Sequence, residues 1–175
     1  CASVMTEDID EMVSDIAEME HMIDSYLSFA RGEGSESVQQ VEVLPFLEDV
    51  VAAARRAGVH IRTLEVEPDL RAHMRPDAMR RVLGNLFDNA RRHDASVALS
   101  ARRVGGGVSI LVDDDGPGIP PDRRAHVLRA FESGQDGGTG LGLTIARDII
   151  RAHGGDMTLE RAPEGGLRVR LYLPN

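Results

Sequence analysis

The 175-residue chain contains no lysine, and all 20 of its basic residues are arginine. This absence excludes a Walker phosphate loop, a eukaryotic-type protein kinase and a pyridoxal enzyme, because each of these depends on a lysine side chain. Tryptophan is also absent and aromatic residues make up only 3% of the chain, so the core must consist of aliphatic side chains and methionine. The single cysteine, Cys1, excludes an internal disulfide.

Acidic residues outnumber basic ones by 29 to 20, and the net charge of −9 disfavours nonspecific binding to nucleic acid or to an anionic membrane. The sequence contains no apolar run of 18 residues and no recognisable signal peptide. We therefore predict a cytoplasmic chain with no nucleic-acid partner. Its apolar fraction of 42% is sufficient for a packed core of one domain with an appendage.

The first part of the chain has two rows of apolar residues at heptad spacing. One row contains Ile9, Ile16 and Ile23, and the other contains Met12 and Met19. This spacing predicts a long amphipathic helix over residues 5–31 with a coiled-coil-like seam. One helix alone cannot bury that seam. Packing against the chain's own globular domain is one explanation, and a partner helix in a dimerising bundle is the favoured one.

Glycine and serine residues follow this helix, so we predict three segments: a helix over residues 1–31, a linker over 32–40 and a domain over 41–175. In the domain, helices are predicted over 44–57, 76–92, 121–129 and 139–152. Strands are predicted over 59–66, 71–74, 96–102, 108–113, 157–161 and 167–173. Helices and strands do not alternate strictly, and there are hairpin signals. This predicts a two-layer α/β sandwich, a mixed sheet with helices on one face.

Two asparagines, Asn85 and Asn89, are four residues apart in the predicted helix 76–92, so their amides lie on one face. Asparagine forms helices poorly, and a pair of them requires an explanation. Amide oxygens suit Mg²⁺, and amide NH₂ groups can donate to phosphate. The alternative from spacing alone is that both amides bond to the backbone of the sheet.

A carboxylate, Asp115, follows an apolar strand and is itself followed by Gly116, Pro117 and Gly118. Such a carboxylate can accept a hydrogen bond from an exocyclic amine such as adenine N6, and glycines let a flat ring approach the backbone. The alternative is a turn with a solvated carboxylate. We expect the preceding Asp113 and Asp114 to face solvent or to cap the turn.

A glycine-rich segment at residues 138–143 leads directly into a predicted helix. Backbone N–H groups at a helix start form an anion site when no side chains obstruct them. The polar stretch between Pro120 and Gly138, with Phe131 as its apolar anchor, is either a lid over a nucleotide or an ordinary surface loop.

In this order and spacing, the motifs resemble the ATP-binding catalytic domain of sensor histidine kinases and, more broadly, the gyrase, Hsp90 and MutL-type (GHKL) ATPases with the Bergerat fold. Residues 85–90 resemble the family's N box, 115–119 its G1 box and 138–143 its G2 box. Phe131 stands where the F box would be. Residues 145–155 resemble the following helix and turn in the kinases. Residues 26–31 resemble the second helix of the dimerisation and phosphotransfer hairpin in the EnvZ-like class.

The resemblance implies a site for ATP and Mg²⁺. Its implied members are Asn85, Asn89, Arg92, His93, Asp115, Gly116, Gly118, Ile119, Phe131, Gly138, Thr139, Gly140, Leu141 and Gly142. Among them, Asn89 is implied as a Mg²⁺ ligand with Asn85 assisting, and Asp115 as the group that holds adenine. The glycines 138, 140 and 142 are implied to contact or accommodate the phosphates, together with Thr139.

This sequence departs from the family in two ways. The phosphoacceptor motif, a histidine followed by an acidic residue, is absent, so no catalytic residue is assigned. The stretch 132–138 also lacks a basic residue, which weakens lid-assisted catalysis. We expect this chain to be the cytoplasmic portion of a membrane-anchored sensor. That sensor should form a homodimer through its helical hairpin and pass a phosphoryl group to the receiver domain of a response regulator. This chain should bind ATP without phosphorylating itself. The alternatives are a gyrase- or MutL-type ATPase and a nucleotide-binding or dimerisation module without catalysis.

Overall fold

The computed structural model describes residues 36–128 and 141–175, along with individual residues between 9 and 31. The chain divides into two compact units, Cys1–Ser35 and Glu36–Asn175. The second unit therefore begins before residue 41, the predicted start of the domain. Residues 36–40, which we predicted as linker, belong to this unit.

In the first unit, every residue that the structure describes is helical. The described apolar residues of the predicted seam are all strongly exposed. They are Ile9, Met12, Val13, Ile16, Met19, Ile23 and Leu27, with exposed fractions of 41–63%. Exposure of so many large apolar side chains to water is unfavourable.

The second unit contains seven strands and four helices within its described ranges. The strands are β1 (Gln39–Glu42), β2 (Ile61–Val66), β3 (Arg71–Met74), β4 (Val97–Val104), β5 (Gly107–Asp114), β6 (Asp156–Arg161) and β7 (Leu167–Pro174). The helices are α1 (Val43–Arg56), α2 (Pro76–Arg92), α3 (Arg124–Val127) and α4 (Leu141–Ala152).

Five strands form the main sheet in the order β2-β4-β5-β7-β6. The pair β2–β4 is parallel and the other three pairs are antiparallel, so the sheet is mixed as predicted. Strands β1 and β3 form a separate two-stranded antiparallel sheet. The described ranges contain no helix that is long and apolar enough to span a bilayer.

The sheet buries one face, because residues alternate between buried and partly exposed along β6 and β7. Helix α4 packs on these two strands and also against α2. Helix α2 begins with Pro76 in its first turn, as predicted. It buries the six apolar residues that its period of 3.6 predicted: Met79, Val82, Leu83, Leu86, Phe87 and Ala90. The predicted two-layer α/β sandwich is confirmed.

Several predicted boundaries differ from those in the structure. Strand β1 was not predicted, because its sequence contains a single apolar residue, Val41, among polar ones. The helix predicted over 121–129 is limited to the four residues of α3. Strand β5 extends one residue further than predicted and ends at Asp114. This last difference changes the assignment of the functional site.

Candidate functional site

Helices α2 and α4 run antiparallel and meet closely at Asn85. The Asn85 Nδ2 atom donates a long hydrogen bond of 3.4 Å to the Gly142 carbonyl oxygen, in the first turn of α4. A Cβ atom at Gly142 would lie 3.8 Å from the Cβ of Asn85, so a small residue at position 142 permits this approach. The contact leaves the side-chain oxygen of Asn85 available to a ligand.

One turn further along α2, Asn89 is partly exposed. Within residues 36–128 and 141–175, its side-chain amide makes no hydrogen bond. Neither asparagine bonds to the backbone of the sheet in the described residues, so the alternative that both amides bond there is wrong. The amides of Asn85 and Asn89 therefore lie on one helical face with unused acceptor capacity.

The carboxylate buried at the end of β5 belongs to Asp114 and not to Asp115. Asp114 is 9% exposed, and its Oδ1 atom accepts hydrogen bonds from Gly116 N at 2.9 Å and Leu167 N at 3.0 Å. Within the described ranges, no hydrogen bond to Oδ2 is present. The expectation that Asp114 faces solvent is wrong, whereas its bond to Gly116 N does cap the turn.

Asp115 points away from this buried position. Its side chain is exposed, and its Oδ1 atom accepts a hydrogen bond of 2.6 Å from Ser96 N at the start of β4. Consecutive strand residues face opposite sides of a sheet, so only one of the two aspartates can join the buried face. The strand ends at Asp114, one position before the carboxylate that was expected to contact a ligand, and the buried environment expected for Asp115 therefore belongs to Asp114.

Glycines allow the backbone to close around the Asp114 carboxylate. Gly118 has φ +71°, and a Cβ there would lie 3.2 Å from the carbonyl oxygens of both Gly165 and Gly166. A Cβ at Gly166 would collide with the backbone and side chain of Asp114. The predicted role of Gly118 in shaping a pocket thus has a steric basis, and the turn between β6 and β7 forms one wall.

Among the remaining predicted residues, Arg92 and His93 lie at the end of α2, and both are exposed. A Cβ at Gly116 would be 3.6 Å from the Cβ of His93, so this end of α2 lies beside the turn after β5. Ile119 is partly exposed, and its carbonyl oxygen accepts a bond of 3.0 Å from Arg124 Nε. Leu141 is the first residue of α4. Phe131, Gly138, Thr139 and Gly140 lie outside the described residues.

Sequence reasoning missed Asp114 and the 165–166 turn. The alternation of Val108, Ile110, Val112 and Asp114 along one strand indicates Asp114 only once the strand is known to reach that residue. The turn gave no comparable signal, since its contact with Asp114 joins residues that are more than 50 positions apart.

The described residues contain no group of three or more His, Cys, Asp or Glu side chains placed to hold a metal ion. A cation in this pocket would therefore be held by amide oxygens and by the oxygens of its ligand. Magnesium suits this donor set, because it retains water and commonly binds one or two protein groups plus phosphate.

The opposite face of the sheet carries ion pairs. Arg168 binds Asp113 with two hydrogen bonds of 2.7 and 2.6 Å, and Arg170 binds Glu160 in the same manner at 2.8 and 3.1 Å. The hydrogen bond from Arg170 holds the pKa of Glu160 below its ordinary value. The same hydrogen bonds, accepted by Asp113 and Glu160, raise the pKa values of Arg168 and Arg170, respectively.

These features define a nucleotide-binding α/β sandwich that operates without lysine. Residues 74–175 match the family described as "Histidine kinase-, DNA gyrase B-, and HSP90-like ATPase". The sensor protein kinase CarS of Pseudomonas aeruginosa is 44% identical over 137 residues, which cover 76% of this chain and 30% of CarS. The chain belongs to this ATPase family, as the ATP-binding catalytic portion of a sensor histidine kinase.

Solved structures agree with this assignment. The ATP binding domain of PrrB from Mycobacterium tuberculosis is 29% identical with a TM-score of 0.68, and the match covers 80% of this chain and 98% of that one. Full-length ShkA in complex with AMPPNP is 28% identical with a TM-score of 0.73, covering 93% and 36%, respectively. The chain spans about a third of the length of the first curated relatives it matches, 30% of CarS and 34% of a second sensor kinase.

Proposed function

We propose that this chain binds Mg²⁺-ATP and presents its γ-phosphoryl group to a histidine on a hairpin helix that is not part of this sequence. A receiver-domain aspartate of a response regulator then accepts the group. One observation carries the proposal: the buried Asp114 carboxylate, whose Oδ1 atom is held by two backbone N–H groups, ends β5 just before the turn that lies beside the end of α2. Helix α2 carries two amide oxygens that accept no hydrogen bond from any described residue.

Asp114 recognises the purine. Both hydrogen bonds from the protein fall on its Oδ1 atom. The Oδ2 atom is then the acceptor for an exocyclic amine such as adenine N6, and hydrogen bonds to a charged group are worth about 1.5–3 kcal/mol. The adenine role that the resemblance implied for Asp115 thus passes to Asp114.

Asn89, with Asn85 beside it, would hold Mg²⁺ through side-chain oxygens. The fit rests on the unused acceptors of these amides in the described structure and on the preference of Mg²⁺ for oxygen ligands. When bound, the ion would neutralise phosphate charge, which this lysine-free chain must otherwise do with arginine and backbone N–H groups. The positive N-terminal end of the α4 dipole would add a favourable field for phosphate.

The chain supplies positioning and not a nucleophile. In phosphoryl transfer of this kind, an attacking imidazole approaches the γ-phosphorus in line with the leaving oxygen, and the protein contributes mainly alignment and charge stabilisation. Without the acceptor histidine, this chain should bind ATP and leave itself unphosphorylated. Addition of the first hairpin helix should restore transfer from labelled ATP, whereas an ATPase of the gyrase type would release phosphate instead.

The metal assignment is tested by replacing Asn89 with alanine. We expect the Kd for ATP in the presence of Mg²⁺ to rise at least tenfold, or about 1.4 kcal/mol, because a ligand of the ion is lost. The measurement is a calorimetric titration with and without Mg²⁺. With EDTA, the wild type and Asn89→Ala should bind equally weakly. An equal loss with and without the ion would contradict a ligand role, as would an unchanged Kd.

The N-terminal helix is proposed to be the second helix of a dimerisation hairpin. Its support is the exposed stripe of described apolar residues between Ile9 and Leu27. A helix of this type gains stability by packing in a bundle with a second copy. The intact protein would then be a homodimer, anchored at the membrane with this portion in the cytoplasm. Sedimentation analysis of the chain with its first hairpin helix restored tests the dimer, and a monomer at micromolar concentration would contradict it.

A further inference from the structure

Helix α2 receives its N-terminal cap from a residue that is distant in sequence. The residue before the helix, Arg75, makes no side-chain cap hydrogen bond. Instead, Glu36 Oε1 accepts a hydrogen bond from Asp77 N at 2.8 Å, and its Oε2 accepts one from Ala78 N at 3.2 Å. The carboxylate therefore satisfies two free N–H groups and places negative charge at the positive end of the helix dipole.

Arg75 connects this cap to the end of α4. Its Nε atom donates to the Glu36 carbonyl oxygen at 3.0 Å, and its backbone N–H donates to His153 Nε2 at 2.9 Å. The other ring nitrogen of His153, Nδ1, donates to the Ile149 carbonyl oxygen at 2.7 Å. Both nitrogens of this imidazole are thus occupied within the protein. We call Glu36, Arg75 and His153 the α2–α4 clamp.

The α2–α4 clamp joins the two helices that carry the proposed nucleotide-binding residues. Asn85 and Asn89 lie on α2, and Gly142 lies on α4. The capped residue Asp77 precedes Asn85 by eight positions, or about 12 Å along the helix axis. A stiff helix transmits a displacement of one end to the other over this distance, so the clamp fixes the spacing of α2 and α4 at the pocket.

Glu36 also occupies a particular position in the chain. It is the first residue of the second compact unit, directly after the Cys1–Ser35 unit. We propose that Glu36 is a positioning residue for the nucleotide site, because its carboxylate caps the helix that carries Asn85 and Asn89. Without this cap, α2 is no longer held in place relative to α4, and the pocket loses affinity for ATP. This inference rests on the proposed function.

The test compares the complete chain with its Glu36→Ala and Glu36→Gln variants. Glu42→Gln is the matched control, because Glu42 also precedes a helix, α1, but makes no cap hydrogen bond there. The Kd for Mg²⁺-ATP is measured at 25 °C, and thermal unfolding confirms that each variant is folded at that temperature. We expect about a fivefold rise in Kd for Glu36→Ala, corresponding to the ~1 kcal/mol of a typical cap. Glu36→Gln, which keeps one acceptor, should be intermediate, and Glu42→Gln unchanged.

Hydrogen exchange provides a second readout that a purely structural role would not change. Coupling between two sites is reciprocal, so Mg²⁺-ATP should slow exchange of the Asp77 and Ala78 amides in the wild type. In Glu36→Ala this ATP-dependent protection should disappear. A wild type that binds no ATP would refute the proposed function. A wild type that binds, with variants that bind equally well and show the same ATP-dependent protection, would overturn the role of Glu36 alone. A loss of thermal stability without a change in Kd would overturn it as well.

Discussion

The replacement of Asp114 by asparagine tests the purine assignment most directly. An asparagine oxygen in the place of Oδ1 can still accept the hydrogen bonds from Gly116 N and Leu167 N. Its NH₂ group would then occupy the place of Oδ2 and face the exocyclic amine of adenine. Two donors would oppose each other, so the hydrogen bond to the charged carboxylate would be lost.

The size of the effect follows from the hydrogen bond that is removed. A hydrogen bond to a charged group contributes about 1.5–3 kcal/mol, which corresponds to a rise of about 10- to 100-fold in the Kd for ATP. Guanine carries a carbonyl oxygen at the corresponding position, and that oxygen can accept from the new NH₂ group. We therefore expect Asp114→Asn to lower the preference for ATP over GTP at least tenfold.

The matched control is Asp115→Asn. The Asp115 side chain is exposed, and asparagine keeps the oxygen that accepts from Ser96 N. This variant should bind ATP and discriminate against GTP as the wild type does. The assay is competition of ATP and GTP for a fluorescent ATP analogue, with thermal unfolding of both variants as a check of the fold. Loss of discrimination in Asp115→Asn, with discrimination retained in Asp114→Asn, would refute the assignment.

Two further predictions concern the turn beside Asp114 and the outer face of the sheet. Gly118→Ala should destabilise the domain by about 1–3 kcal/mol. The control is Gly105→Ala, which is also at positive φ but has no atom within 4 Å of the new Cβ, so it should cost only the backbone strain of about 1 kcal/mol. Equal melting temperatures for the two variants would contradict the crowding at Gly118. Because Arg170 holds the pKa of Glu160 below its ordinary value, the stabilisation is present above the unfolded-state pKa of about 4.3 and is lost as pH falls through the lower folded value. Urea unfolding at pH 7 and pH 3 should then show that Glu160→Gln is less stable than the wild type only at the higher pH, and a difference independent of pH would contradict this.

The local elements were largely predictable from sequence. Pro76 indicated the start of α2, which was predicted to end near Arg92, and the period of 3.6 indicated all six of its buried apolar residues. The same period placed Asn85 and Asn89 on one face. The hairpins β4–β5 and β6–β7 followed from glycine-containing turns between alternating strands. These features depend on neighbours within a few positions, so the sequence pattern contains them.

Strand ends were less predictable, and here the error had a functional consequence. Three consecutive aspartates offer no polarity difference by which to choose the strand end. The choice is made by the partner strands, because β4 and β7 set which residue faces the helices. A shift of one position along a strand moves a side chain to the other face.

The sequence by itself determined which groups are available to hold a nucleotide: side-chain amides, a carboxylate, glycines and arginines, with no lysine. Only the tertiary structure decided that Asp114 is the buried carboxylate, that the turn at Gly166 closes on it, and that Glu36 caps α2. These contacts join residues 41 to 53 positions apart, and the bond between Arg75 and His153 spans 78. Contacts over such separations arise from the packing of whole elements, which local sequence patterns do not encode.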